Sequence, residues 1–339
     1  DRASLIKTLS ILPEYLKSMV QGWIAPPADR PALVVMIGPG DDPEVSAWLV
    51  RRDAAKPTSI AVLPESTDGT PALAPGWPIR DVESLKVVII GVGSIGSAVS
   101  QALAEYGVHH LVLIDPDRLL PHNLVRHQAR RKWLGRYKVN AQRDTLLDRF
   151  PHLDLEALPV SVTSAADLMR PLFAHADIVI CCTDGTEPRI VCSHLARWAR
   201  TPVVLACVLD DGAIGEIIRL RPGKRIGCLA CQRMAMVERS EMDPEPNIDL
   251  GYGTGSRHRP MTAVGGDLSL VGYLAAKIAV ATMLERAGHP DQRLAGDHAI
   301  VSLRPTADAA APFDLKLGAD IRWLQAAAPL PGCPTCEMA

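Results

Sequence analysis

Three glycines near residue 90 have the spacing that a backbone needs to bind a phosphate. Gly91, Gly93 and Gly96 form a G-x-G-x-x-G pattern directly after the apolar residues 87–90. Glycines there let the backbone turn tightly and approach a phosphate, and the start of a following helix supplies amide donors and a favourable dipole. Asp115 ends the next apolar run, where a carboxylate can accept a hydrogen bond from a ribose hydroxyl. The pattern predicts a nucleotide site, and taken alone it favours a dinucleotide over ATP.

A second group of polar residues, further along the chain, suits a polyphosphate and a metal ion. Its members offer cations and an amide for phosphates, and carboxylates for a ribose and for Mg²⁺, which prefers oxygen ligands. A hydride-transfer enzyme does not need this set. Taken singly, Arg126 and Lys138 are each more typical of a surface charge, and Asp184 could cap a helix. The order of these residues after the glycines is what favours a site for a polyphosphate. The residues are Asp115, Asp117, Asn123, Arg126, Lys138 and Asp184.

Four of the eight cysteines have the spacing of a metal site. Cys228 and Cys231 form one Cys-x-x-Cys pair, and Cys333 and Cys336 form a second. Two such pairs can close a tetrahedral thiolate site, which is typical of structural Zn²⁺. A metal there would fasten the C-terminal segment to a part of the chain about 100 residues earlier.

Composition limits the class of protein. The 339 residues can form one large or two moderate domains, and the formal net charge of −2 gives no reason to expect nucleic acid. The best candidate for a membrane span, residues 268–284, contains Lys277 and is better suited to a packed helix. With no signal-peptide pattern and no disulfide framework, we expect a soluble, cytoplasmic protein. The sequence begins at Asp1 rather than at Met, which leaves open whether residues precede it.

The elements that position these residues predict an α/β domain. Apolar runs alternate with segments of helical period, which predicts a Rossmann-like, mostly parallel sheet covered by helices. Ligands bind beyond the carboxyl ends of such strands, where Gly91, Asp115 and Asp184 are all expected. Strands are predicted at residues 87–90, 110–115, 155–162, 176–184, 203–208 and 215–221, and helices at residues 97–106, 137–149, 165–173, 188–199 and 268–284.

The first 63 residues predict a small additional α/β unit. Its expected elements are helices at residues 4–23 and 43–51 and strands at residues 32–37 and 59–63. The Gly38-Pro-Gly40 segment lacks a third glycine, so it predicts a turn rather than a phosphate loop. A linker is expected over residues 64–81 and the main domain over residues 82–339, with a flexible crossover loop at residues 234–260.

Four short motifs resemble the adenylation domain of the ubiquitin-activating superfamily, which also contains the bacterial adenylyltransferases for molybdopterin-synthase and thiamine sulfur carriers. The motifs are Asp115-Pro-Asp117, Asn123-Leu-Val-Arg126, Gly135-Arg-Tyr-Lys138 and Cys182-Thr-Asp184. The resemblance implies that the glycine loop and Asp115 hold ATP, with Asp117 as a supporting group. It further implies that Asn123, Arg126 and Lys138 contact the phosphates, that Asp184 binds Mg²⁺, and that the paired cysteines hold zinc.

The resemblance also implies a reaction and partners. The C-terminal carboxylate of a ubiquitin-like β-grasp protein with a glycine tail would attack the α-phosphate of ATP, giving an acyl adenylate and pyrophosphate. Its tail would thread under the crossover loop. A bacterial ubiquitin-like conjugation pathway, with a conjugating enzyme, is the expected setting, and a homodimer is expected by analogy. Residues 1–63 could be a reduced form of the inactive adenylation half found in ubiquitin-activating enzymes.

The sequence departs from the family pattern at the expected nucleophile. Many relatives have a cysteine in or near the crossover loop, whereas this chain has none between Cys231 and Cys333, and Ala263 lies near the expected place. Ala263 could be an engineered replacement, the enzyme could stop at the adenylate, or Cys192 or Cys207 could serve, although both predict buried core thiols. A family arginine that reaches ATP from elsewhere is unplaced. Its candidates are Arg2, Arg30 and Arg80.

Other functions stay open at this point. A sulfur-carrier adenylyltransferase would use the same site but pass the adenylate to a sulfur donor. A non-catalytic scaffold would keep the fold and the zinc, although the complete set of Arg126, Lys138 and Asp184 argues against it. An NAD enzyme is the least favoured of the alternatives.

Overall fold

The computed structural model describes residues 32–39, 44–50, 55–60, 74–223, 225–239, 263–305 and 309–337. The chain divides into two compact units, Asp1–Thr67 and Asp68–Ala339, and the boundary falls inside the predicted linker. The helix predicted at residues 4–23 lies outside the described residues.

The first unit contains a three-stranded antiparallel sheet in the order β1-β2-β3. Gly38 N–H donates to the carbonyl of Glu44 at 2.9 Å, in the connection that leads from the first strand to the second, as expected for a turn. Gly40 lies outside the described residues. The strands are β1 (Ala32–Ile37), β2 (Val45–Val50) and β3 (Ala55–Thr58).

Two predicted elements of this unit differ from the structure where it describes them. The helix predicted at residues 43–51 is replaced by β2, which pairs with β1 on one side and β3 on the other. Pairing on both edges satisfies the backbone of this apolar segment and outweighs its local helical period. The strand predicted at residues 59–63 does not begin at Ser59, because β3 ends at Thr58 and Ser59 and Ile60 have no regular structure; residues 61–63 lie outside the described residues.

The second unit is built on an eight-stranded sheet in the order β6-β5-β4-β7-β8-β9-β10-β11. The pairings from β6 through β8 are all parallel, and β9 to β11 extend the sheet with antiparallel pairings. The predicted α/β fold is confirmed. The strands are β4 (Lys86–Ile90), β5 (His110–Ile114), β6 (Asp154–Leu158), β7 (Ile178–Cys181), β8 (Val203–Leu209), β9 (Ile214–Leu220), β10 (His298–Ser302) and β11 (Ile321–Leu324).

The helices follow the strands with two corrections. Ile79 to Asp81 belong to a helix rather than to the predicted linker, and Met234 to Glu238 belong to a helix rather than to the crossover loop. Residues 240–260 of that loop lie outside the described residues. The α-helices are α1 (Ile79–Glu83), α2 (Ser94–Tyr106), α3 (Lys138–Leu147), α4 (Ala166–His175), α5 (Thr186–Ala199), α6 (Leu229–Glu238), α7 (Gly265–Ala287) and α8 (Pro334–Glu337), with short 3-10 helices at Pro121–Asn123, Arg131–Trp133, Asp210–Gly212 and Pro290–Gln292.

Helix α7 is the central helix of the second unit. Its length and composition would allow it to cross a membrane, but 67% of its most apolar window is buried inside the protein, as expected for a core helix. It packs on α2 at Gly272, where a Cβ would lie 2.7 Å from Ala98 Cβ and 2.8 Å from the carbonyl oxygen of Ile95. The two helices therefore approach each other as closely as a glycine allows.

The contact between α2 and α7 predicts a position-specific effect of a single methyl group. Gly272→Ala should lower the free energy of unfolding by about 1–3 kcal/mol, because the methyl overpacks the contact with Ala98. Gly266→Ala is the matched control in the same helix, since a Cβ there meets no described atom within 4 Å. It should be neutral or stabilise by up to about 1 kcal/mol. Denaturant unfolding measures both, and equal effects would contradict this packing.

Candidate functional site

The glycine loop connects β4 to α2, and each of its glycines has a separate reason to be there. Gly91 has φ +82°, and a Cβ on it would lie 2.9 Å from Thr183 Cγ2. A Cβ on Gly96 would clash with the carbonyl oxygen of Gly91, which lets α2 begin directly against the end of β4. A Cβ on Gly93 would meet no described atom within 4 Å. The loop is therefore tight on its inner side and open at Gly93, as phosphate binding at a helix start requires.

The side chain of Asp115 holds this loop in place. It is buried, its Oδ2 accepts a hydrogen bond from Val92 N–H at 2.7 Å, and its Oδ1 accepts one from Asp117 N–H at 2.8 Å. Burial raises the pKa of Asp115, although Lys138 acts in the opposite direction. Each oxygen keeps a lone pair, so the predicted contact with a ribose is compatible with these bonds.

Lys138 lies at the start of α3 and faces three carboxylates. Its Nζ lies 2.7 Å from Asp117 Oδ2, and its side chain is 13% exposed. Burial by itself would lower the pKa of Lys138, but the negative charges of Asp115, Asp117 and Asp184 outweigh it and raise the pKa. The amine is therefore a permanent cation at neutral pH, placed where these acidic residues meet.

Asp184 follows β7, beside the point where the chain order in the sheet reverses. The chain runs outward from β4 through β5 to β6 and then resumes on the other side of β4 with β7. Cys182 N–H donates to the carbonyl of Ile90 at 2.7 Å, so the carboxyl ends of β7 and β4 are adjacent. Ligands bind at such switch points in open α/β sheets. Asp184 is exposed, and the N-cap residue of α5 is Gly185, so the cap interpretation of Asp184 is wrong.

Asn123 and Arg126 lie on the segment between β5 and α3. The Oδ1 of Asn123 accepts from Leu120 N–H at 2.8 Å, and its carbonyl accepts from Arg126 N–H at 3.0 Å, so this side chain shapes the turn. A Cβ on Gly265 would lie 3.2 Å from Arg126 Cα, so the start of α7 holds this segment in place. Of the arginine candidates, Arg80 is an exposed residue of α1, and Arg2 and Arg30 lie outside the described residues.

His127 is a site residue that no sequence pattern indicated. It is buried, its Nε2 lies 2.8 Å from the carbonyl oxygen of Val92, and its Nδ1 accepts from Ala129 N–H at 2.9 Å. Burial lowers the pKa of His127 to about 4, which keeps the ring neutral. Its place directly after Arg126 was the only signal in the sequence.

A buried charged cluster beside Cys207 was also missed. Arg189 Nη1 donates to Cys207 Sγ at 3.0 Å. Opposite Cys207 in the sheet, the Glu216 carboxylate accepts hydrogen bonds from Arg233 at 2.7 and 2.5 Å and lies 3.0 Å from His298 Nε2. Burial would raise the pKa of Glu216, but Arg233 and His298 outweigh it and lower the pKa well below its ordinary value. Because Arg233 belongs to α6, the cluster fastens that helix to the sheet.

The two cysteines considered as alternative nucleophiles are core residues. Cys192 and Cys207 are buried, and burial raises the pKa of Cys207 to about 11 and that of Cys192 well above its ordinary value. Thiols in this state are poor nucleophiles. Ala263, just before α7, lies against Gly212, which belongs to the turn between β8 and β9.

The four paired cysteines converge as predicted. Their sulfur atoms all lie within 4.8 Å of one another, and the separations are 3.8 Å for Cys228–Cys231, 3.6 Å for Cys228–Cys333 and 3.8 Å for Cys231–Cys336. Tetrahedral Zn²⁺ with bonds near 2.3 Å requires sulfur separations of about 3.8 Å. Backbone N–H groups of Cys228 and Leu330 point at Cys336 Sγ and Cys231 Sγ, which favours thiolates. The donor set therefore fits a structural zinc ion.

The cysteine cluster predicts a defined metal content. The purified protein should contain about one zinc per chain, because four thiolates complete the coordination of one ion. Cys336→Ser should lose the metal and lower the melting temperature, whereas Cys192→Ala, which removes a thiol outside the cluster, should retain it. Elemental analysis and thermal unfolding measure both. Zinc-free wild-type protein from zinc-supplemented cells would contradict the assignment.

Comparisons with known proteins agree with this geometry. Residues 74–302 match the ThiF family. Ubiquitin-like modifier-activating enzyme 5 of Caenorhabditis briggsae is 27% identical over 202 residues, covering 56% of this chain and 46% of that protein. The molybdopterin-synthase adenylyltransferase of Escherichia coli K12 is 33% identical over 144 residues, covering 41% of this chain and 57% of that protein. The crystal structure of E. coli MccB with ATP aligns with a TM-score of 0.54 at 22% identity, covering 76% of this chain and 68% of that chain.

These matches establish the fold and the family. The structural alignment, at 22% identity, supports the Rossmann-like architecture of the second unit. The chain spans between 28% and 57% of the length of the curated relatives it matches. The family match covers more than half of the chain and includes the glycine loop, Lys138 and Asp184, so the protein belongs to the ThiF family.

Proposed function

We propose that this protein uses ATP to adenylate the C-terminal carboxylate of a small ubiquitin-like protein. The observation that carries the proposal is the meeting of the glycine loop, Lys138 and Asp184 at the carboxyl ends of adjacent parallel strands. A phosphate-binding loop, a partly buried cation and an exposed carboxylate are the groups that a magnesium-bound triphosphate needs. The MccB structure with ATP, and relatives named adenylyltransferases, support ATP as the nucleotide.

Each predicted residue has a role in this proposal. The amides at the start of α2 and Gly93 contact phosphate, and Asp115 contacts the ribose. Lys138, with Asp117 beside it, neutralises charge on the phosphates, as does Arg126 from the segment held by α7. Asn123, on the same segment, contributes an uncharged amide donor to the phosphates. Asp184 binds Mg²⁺, which supplies further charge neutralisation.

The proposed chemistry is a single displacement at phosphorus. A carboxylate oxygen forms a bond to the α-phosphorus while the bond from that phosphorus to the oxygen leading to the β-phosphate breaks. The products are an acyl adenylate and pyrophosphate. No proton has to move, so the rate depends on positioning and on neutralising charge rather than on a general base.

The partner is proposed to be a β-grasp protein with a flexible glycine tail, in a bacterial ubiquitin-like conjugation pathway. Support comes from relatives named ubiquitin-like modifier-activating enzymes. In this proposal the tail reaches the site beneath the segment that follows α6, and a conjugating enzyme receives the product. We further propose that two copies of the protein pair through the second unit and that the protein is cytoplasmic.

A sulfur-carrier adenylyltransferase is the second candidate, and a specific observation favours it. The sequence has no cysteine between Cys231 and Cys333, and Cys192 and Cys207 are buried. An adenylate that is passed directly to an outside sulfur donor requires no thiol of this chain. Relatives named as adenylyltransferases for molybdopterin synthase and for the sulfur carrier protein ThiS support this alternative.

The proposed function predicts ATP–pyrophosphate exchange that depends on a particular small protein. Exchange should appear when the purified enzyme is mixed with one β-grasp protein encoded near its gene. Asp184→Ala should reduce the rate at least about 100-fold, because it removes the ligand of the metal that neutralises the transition state. Asp167→Ala, which removes an exposed carboxylate on α4, is the control and should leave the rate unchanged.

The same samples distinguish the candidates. A DTT-sensitive adduct between enzyme and β-grasp protein would favour the conjugation pathway, and exchange without such an adduct would favour the sulfur-carrier pathway. ATP binding without exchange for any partner would contradict both and favour a scaffold.

A further inference from the structure

The peptide groups on either side of Val92 are held by two different parts of the chain. Val92 N–H donates to Asp115 Oδ2 at 2.7 Å, and the Val92 carbonyl lies 2.8 Å from His127 Nε2. Gly93, whose Cβ direction is open, follows immediately, and then α2 begins. The orientation of the glycine loop therefore depends on the carboxylate of Asp115, which follows β5, and on the imidazole of His127, which follows Arg126.

The hydrogen bonds of His127 define its tautomer. Ala129 N–H can only donate, so Nδ1 must be the acceptor and the ring proton must lie on Nε2, where it is donated to the Val92 carbonyl. Burial lowers the pKa of His127 to about 4, and Lys138 acts in the same direction. A neutral ring in this one tautomer therefore links the glycine loop to the backbone three residues beyond Arg126.

The residues around His127 attach the same segment to two helices. Gln128 N–H lies 3.3 Å from Ser97 Oγ on α2, and Gln128 Nε2 lies 3.3 Å from Ser269 Oγ on α7. On the other side of His127, the close approach of Gly265 to the Val125 carbonyl leaves no room for a side chain. The side chain of His127 contacts the glycine loop itself.

We propose that His127 is a positioning residue that fixes the Arg126 segment in register with the glycine loop. Through its bond to the Val92 carbonyl, it sets the spacing between the amides that contact phosphate and the arginine that would contact the same nucleotide. The proposal rests on the proposed function, because it assigns His127 to the binding of ATP. This role depends on one hydrogen bond, from His127 Nε2 to the Val92 carbonyl. A general contribution to core stability would not depend on that bond alone.

Two amide substitutions separate that bond from the rest of the histidine. The nitrogen of His127→Gln can occupy the place of Nε2 and keep the bond to the Val92 carbonyl. The oxygen of His127→Asn can occupy the place of Nδ1 and keep the bond from Ala129 N–H, but the shorter side chain loses Val92. Both variants bury one neutral amide, so they are matched in polarity. Thr201→Val, which removes a buried hydroxyl bonded to the Phe173 carbonyl at 2.7 Å, controls for stability alone.

The test measures the KM for ATP in pyrophosphate exchange and the amide hydrogen exchange of residues 91–97. His127→Asn should raise the KM at least about 10-fold and speed hydrogen exchange in the loop, whereas His127→Gln should stay within about 3-fold of wild type in both, a difference of roughly 0.7 kcal/mol or less. Thr201→Val should lower the melting temperature without changing either readout.

Several results would overturn the proposal. An Asn variant with wild-type KM and loop exchange would do so, as would a Gln variant impaired as much as the Asn variant. If His127→Asn does not fold, a Gln variant with a KM more than about 10-fold above wild type would still contradict it. Hydrogen exchange needs no turnover, so a wild-type enzyme that fails to adenylate any partner would contradict the proposed function while leaving the loop readout to decide the role of His127.

Discussion

The close contact between the end of β4 and the first turn of α2 is the constraint on which the site depends. Gly91 must adopt a left-handed conformation, and Gly96 must lack a side chain, for the helix to begin where it does. This contact places the start of α2 at the carboxyl end of β4. Asp115 and His127 then hold Val92 from two sides, so two contacts within the protein fix the loop without a ligand. Such preorganisation is what makes electrostatic catalysis effective.

The carboxylates around Lys138 have different environments and therefore suit different tasks. Asp115 is buried and accepts two backbone hydrogen bonds, which makes it mainly a support for the loop. Asp117 is bonded to Lys138, while Asp184 is exposed at the end of β7. A carboxylate that remains open to solvent can exchange water for a metal ion, whereas one enclosed by backbone donors cannot do so without breaking those bonds. Lys138 therefore offsets the negative charge of three carboxylates, and their different exposure to solvent suits these carboxylates to separate roles.

Much of the second unit could be predicted from the sequence because its signals are local. The glycine spacing, the apolar strands and the paired cysteines each follow from neighbouring residues, and the structure confirms the fold and the convergence of the four sulfur atoms. What could not be predicted depends on contacts between distant segments. Nothing around Val45–Val50 indicates that strands would pair on both sides of it, and nothing around Glu216 indicates that Arg233 would neutralise it. His127 belongs to the same class, because its partner Val92 lies 35 residues earlier.

The identity of the nucleotide product tests the central claim most directly. The enzyme would be incubated with ATP, Mg²⁺ and each candidate β-grasp protein, and the nucleotides and the intact proteins would be analysed by mass spectrometry. We expect pyrophosphate together with one β-grasp protein whose C-terminal carboxylate carries an adenylyl group, a mass gain of AMP less one water. Formation of ADP and phosphate, or AMP attached elsewhere than at that carboxylate, would contradict it.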